Sequence, residues 1–82
     1  MTNLFRRPKV LEIQGIGKTN LQNRINDGLF PEPISIGGRA VAWPSYEVES
    51  ITNALIAGKS PREIRQLVTY MMEKRNELGG DI

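Results

Sequence analysis

Cysteine and histidine are both absent from the 82 residues of this chain. Disulfides, thiolate nucleophiles, imidazole bases and the usual zinc ligand sets are therefore excluded together. No metal, no cofactor and no catalytic residue is assigned. Apolar runs are short: none approaches the ~20 residues that span a bilayer, and the N-terminal MTNLFRRPKV lacks the apolar centre of a signal peptide. A cytoplasmic chain without membrane contact is expected. The length leaves no room for a P-loop or Rossmann unit plus anything else, which disfavours large-fold enzymes. Aromatic residues are scarce, with two Phe, two Tyr and one Trp. Tyr46 and Tyr70 lack the cluster of basic and histidine groups, and the larger domain, that a recombinase nucleophile requires.

What is present is an uneven distribution of charge. The formal net charge is only +2, but residues 1–44 carry six cations against three anions, and residues 45–82 carry five against six. Positive charge belongs to the first half, as expected if that half faces a polyanion. A solvated surface of mixed charge is the competing explanation. The local pattern decides between them.

Leu4 and Phe5 suit a short strand, and Pro8 suits the first turn of a helix that Val10, Leu11 and Ile13 continue as far as Gly15. Gly15-Ile16-Gly17 reads as a tight turn. Lys18 to Asp27 reads as a second helix with Leu21 and Ile25 inward, so the pair forms a helix-turn-helix. Gly28 is the expected left-handed cap, and Pro31 and Pro33 hold the chain extended. Ile34-Ser35-Ile36 and Ala40 to Trp43 are expected to form a hairpin turning at Gly37-Gly38, with Arg39 at the tip. A third helix follows from Pro44-Ser45, its apolar face predicted as Val48, Ile51, Leu55 and Ile56, with Gly58 ending it. Ser60-Pro61-Arg62-Glu63 is a capping box opening a fourth helix whose stripe is Ile64, Leu67, Val68, Met71 and Met72. That stripe must pack on the preceding unit or meet another subunit, and packing within the chain is the expectation. Glu47 and Glu49 read as negative charge in the first turn of helix three. Trp43 reads as core.

Gly17-Lys18-Thr19 matches the end of a phosphate-binding loop, but the motif needs a glycine where this chain has Glu12 and a strand where it has a helical pattern. The second helix suits a different task. At 100° per residue from Leu21 and Ile25, its outward residues are Thr19, Asn23 and Asn26, flanked by Asn20 and Gln22, with Lys18 at the leading end and Arg24 beyond. Asn and Gln pair bidentately with adenine edges in a major groove. An ordinary solvated face is the alternative, and the basic hairpin that follows argues against it. Gly37, Gly38 and Arg39 would form the wing, with Arg39 entering a minor groove, contacting phosphate, or merely adding solubility. Arg6, Arg7 and Lys9 are further candidates for phosphate contacts.

The order helix, Gly15, polar helix, Gly28, Phe30-Pro31, Ile36-Gly37-Gly38-Arg39, Trp43 and Glu47-Val48 resembles the AlpA-like, MerR-type winged helix-turn-helix proteins of prophages and genomic islands, which include excisionases. The resemblance covers residues 4 to 57. It implies that Lys18 and Thr19 open the recognition helix, that Gly37 to Arg39 form the wing, and that Glu47-Val48 begins the supporting helix. Gly17 stands where the family commonly has Ser, and Gln22, Asn23 and Arg24 also depart from its usual residues, so the bases read are expected to differ.

The fold expected is mainly α with a small β-hairpin. Residues 1–58 form the winged helix-turn-helix and 59–82 a C-terminal helix packed on it or used for assembly, within a single structural domain. By resemblance, such a chain is a non-enzymatic excisionase that binds double-stranded attachment-site DNA and directs a tyrosine integrase toward excision. Transcriptional regulation of integrase or prophage genes is the alternative within DNA binding, and a protein-interaction module the alternative outside it. Self-association on DNA stays open, and a nucleoid-associated location is expected.

Overall fold

Seven elements follow one another in the computed structural model, which describes residues 3–79. They are β1 (Leu4–Arg6), α1 (Arg7–Gln14), α2 (Lys18–Asn26), β2 (Ile34–Gly37), β3 (Ala40–Pro44), α3 (Ser45–Ile56) and α4 (Pro61–Gly79). Proline in the first turn of α1 costs no hydrogen bond, because that N–H would be an orphan. The end of α2 shows how the chain is redirected. Gly28 takes φ of 77°, its N–H bonds to the Ile25 carbonyl at 3.1 Å, and the Leu29 N–H reaches back to the Arg24 carbonyl at 2.8 Å. A Cβ in that left-handed turn would cost roughly 1–2 kcal/mol. The turn delivers Phe30 into the core.

The sheet has the order β1-β3-β2, antiparallel throughout. Phe5 pairs with Trp43 across β1 and β3. On the other side Ser35 pairs with Val41 and Gly37 with Ala40, leaving Ile36 as an extra residue. This bulge moves the turn. The residues at the hairpin tip are Gly38 and Arg39, one position beyond the expected Gly37-Gly38, because Gly37 at φ 122° is taken up by the irregular pairing. Gly38, at φ 54°, supplies the positive angle that opens the turn.

Trp43 lies at the centre of the core, fully buried. Phe30 meets it edge to face, with ring centroids 5.9 Å apart, and its indole N–H donates to the Pro31 carbonyl at 2.8 Å. The contact thus satisfies the one polar atom that burial would strand. Val10, Leu21, Val48, Ile51, Ile64, Val68 and Met71 complete a cluster drawn from all four helices.

The expected face of α3 needs correction. Val48 and Ile51 are buried, but Ala54 completes the stripe, whereas Leu55 is 44% and Ile56 79% exposed. At 100° per residue Ile56 lies about 140° around the helix from Ile51, beyond the reach of α4. The stripe of α4 is packed within the chain as expected, with Ile64, Val68 and Met71 buried and Leu67 and Met72 half-buried against the cluster.

Glu47 is also corrected: it does more than place charge at a helix start. Its carboxylate is fully buried, accepting the Arg75 Nε hydrogen at 2.8 Å and a second bond from the Arg75 Nη2. This bidentate pair fastens the start of α3 to the last part of α4. Glu49 stays exposed in the first turns of α3.

Candidate nucleic-acid interface

The outward side of α2 is built by Leu21, which is 1% exposed and fixes the rotation of the helix. With Leu21 anchored, Lys18, Thr19, Asn20, Gln22, Asn23 and Asn26 are all exposed. Gln22 Nε2 donates to Asn26 Oδ1 at 3.1 Å, one turn along, which orients both amides on one side of the helix. The remaining Gln22 carbonyl and Asn26 amide hydrogens stay free for other partners. A helix with side chains is about 10–12 Å across, close to the width of a B-DNA major groove. Arg24 behaves differently. It is half-buried and turns with Leu29, Ile51 and Ile64 into a groove on the other side of α2.

The leading end of α2 is open. Gly17 caps it without any side-chain hydrogen bond, and no acidic residue stands in the first turn. The first N–H groups of a helix carry partial positive charge, so this end, with Lys18, favours an anion.

The hairpin supplies a second surface. Ile36, Gly37, Gly38 and Arg39 are exposed, and Arg39 takes part in none of the ion pairs found among the described residues. Its guanidinium is therefore available at the tip of a two-stranded ribbon whose base is anchored by Trp43.

At the start of α1, Arg6 and Lys9 are exposed, while Arg7 is half-buried. The Arg7 guanidinium lies 5.8 Å over the Trp43 ring, and its Nε hydrogen finds no acceptor among the described residues. Stacking holds this cation in one place without neutralising it. Neither the stacking nor the Glu47–Arg75 pair was foreseen. The latter left a trace in the sequence, because Glu47 falls on the Ile51-Ala54 stripe and Arg75 on the Ile64-Val68-Met71 stripe.

A sequence model of the family described as prophage CP4-57 regulatory protein (AlpA) matches residues 3–53. The chain belongs to the AlpA family. The matched span takes in β1, the two short helices, the hairpin and most of α3, and stops before α4. The chain is also 35% identical over 55 residues to a protein of Enterobacteria phage P4 named uncharacterized protein ORF88, an alignment covering 67% of this chain and 62% of that relative. It thus spans less than two thirds of the relative's length. No solved structure matches the chain. AlpA proteins are prophage regulatory proteins by family description, and the mostly helical fold with a small three-stranded sheet is compatible with a winged-helix architecture. Among the described residues no helix is long and apolar enough to cross a membrane.

Proposed function

We propose that this AlpA-family chain is a sequence-specific DNA-binding protein of the MerR-like winged helix-turn-helix kind, without catalytic activity, that acts as an excisionase. In this account α2 enters a major groove, where Thr19, Asn20, Gln22, Asn23 and Asn26 read base edges. Lys18 and the open end of α2 sit against phosphate, and Arg6, Arg7 and Lys9 at the start of α1 hold a neighbouring stretch of backbone. Gly37 and Gly38 let the hairpin approach the duplex closely while Arg39 contacts phosphate or enters the adjacent minor groove. Arg24 serves as a support at the edge of this surface. The observation that carries the proposal is the amide-rich outward side of α2 next to a protruding hairpin with an unpaired arginine at its tip.

Such a protein works through geometry. By occupying or bending attachment-site DNA it favours the synaptic arrangement from which a tyrosine integrase excises the element. A second role, control of integrase or prophage gene transcription, is favoured by the regulatory description of the family. Both rest on the same binding. The test is an anisotropy titration of duplexes from the attachment region of the encoding element at several salt concentrations, followed by an excision assay with its integrase. Binding that weakens steeply with salt, with excision stimulated, supports the proposal. Binding without any effect on excision leaves the transcriptional role, and absence of binding points to a protein-interaction module.

A further inference from the structure

Two open surfaces remain on the α3–α4 pair, away from the outward side of α2 and from the hairpin tip. The Glu47–Arg75 pair joins the start of α3 to the end of α4, so the two helices run antiparallel. Where α3 stops and α4 begins, Leu29, Leu55, Pro61 and Ile64 line an apolar groove of about 220 Å³, with Arg24 and Lys59 beside them. Ile56, next to it, is 79% exposed. Cations dominate this end, with Arg24, Lys59, Arg62 and Arg65 against Asp27 and Glu63. At the opposite end Tyr46 and Tyr70, the latter 57% exposed, form a second groove with Lys74 and Glu77. There the charge is reversed, with Glu49, Glu73 and Glu77 against Lys74, once the internally paired Glu47 and Arg75 are set aside.

We infer that these two ends are the halves of one contact, through which copies of this chain associate head to tail. The tyrosine end of one copy seats against the Leu29-Leu55 groove of the next. Glu73 and Glu77 then face Arg24 and Lys59. A symmetric pairing is disfavoured, because groove against groove would set Arg24, Lys59 and Arg62 of one copy against the same cations of the other. Tyrosine suits such a contact, offering a large amphipathic surface at small entropy cost. The same two ends recur on every copy, so the association does not close into a dimer and extends as an array. Opposed exposed charges also make it weaken with salt. The inference stands apart from DNA binding, since neither groove contains an outward residue of α2 or a residue of the hairpin tip.

Sedimentation of the full chain without DNA, over a wide concentration range and at low and high salt, tests the contact. The average mass of the wild type should climb past two copies at low salt and fall back at high salt. Leu55→Glu and Tyr70→Ala should each weaken association by roughly tenfold or more. An equimolar mixture of the two should recover association but stop at two copies, because each variant keeps the half that the other has lost. Circular dichroism and Trp43 fluorescence confirm that the variants are folded, and Ile56→Asp replaces Leu55→Glu if that variant is not. A wild type that stays monomeric, a wild type that stops at a dimer, or a mixture no better than its components overturns the inference.

Discussion

Asn23 and Arg39 divide the work of recognition in different physical ways, and their substitution separates those ways. Asn23 lies opposite the buried Leu21, so removing its amide leaves the fold untouched and deletes a bidentate base contact worth about 1–3 kcal/mol. Asn23→Ala should lose specific affinity by that amount while non-specific affinity holds, as titrations on specific and random duplexes will show. Equal losses on both would make Asn23 a positioning residue only. Arg39→Ala should instead lower the salt slope of binding by about 0.9, the release of one counterion, if the guanidinium contacts phosphate. A changed preference among A·T-rich flanks would place it in the minor groove. Unchanged affinity at every salt concentration would remove the hairpin from the interface. Glu47 and Arg75 make a structural prediction of the same scale. Arg75→Met should cost about 3 kcal/mol, because it leaves a buried carboxylate without its partner. The Glu47→Leu, Arg75→Met double variant should recover part of that loss in chemical denaturation, since two apolar groups strand no charge. A double variant no more stable than Arg75→Met would refute this account of the pair.

Helices, strands and caps were legible from local chemistry to the extent that local chemistry controls them. The box at Ser60 formed as its spacing demanded: the Glu63 N–H donates to Ser60 Oγ at 3.2 Å, and the Glu63 carboxylate accepts from the Ser60 N–H at 3.4 Å and from its hydroxyl at 3.2 Å. The Ser60 backbone N–H, then its hydroxyl, and finally nearby Lys59 hold the Glu63 carboxyl below the ordinary glutamate range. A depressed carboxyl contributes stability that is complete above the unfolded pKa and is lost as pH falls through the folded one. Carbon-detected NMR should therefore find Glu63 titrating at a lower pH than exposed Glu49. In Ser60→Ala the Glu63 titration should rise, because the hydroxyl partner is gone, and no movement would contradict the assignment. The hairpin was less legible. Two adjacent glycines announced a turn, but which pair of residues formed it depended on a bulge at Ile36, set by how β2 meets β3 and invisible in the local sequence. The face of α3 failed in a related way: Leu55 and Ile56 are apolar, yet α4 covers Ala54 instead, and only the tertiary arrangement of the helices decides that.

At the scale of the whole molecule, a core centred on Trp43 joins the AlpA-family span to α4, and distinct surfaces are distributed around it. Gln14 Nε2 donates to Thr52 Oγ1 at 2.7 Å, tying α1 to α3, and Arg65 Nε donates to the Asp27 carbonyl at 2.9 Å, tying α4 to the end of α2. These ties hold the outward side of α2 and the hairpin in a constant relation, which reading a fixed spacing of grooves requires. The outward residues of α2 were legible from helical periodicity alone, because one anchored residue, Leu21, sets the rotation. The turning of Arg24 into the groove beside α4 was not, since α4 lies 37 residues further along the chain where it opens at Pro61. The central claim, that this chain reads duplex DNA with α2 and the hairpin, is tested most directly by selecting binding sequences from a library of random duplexes with the wild type and with Asn23→Ala. The account predicts that the wild type enriches a short common motif and that Asn23→Ala loses preference at one position within it. Recovery of sequences indistinguishable from the starting library, at every salt concentration tried, would contradict it.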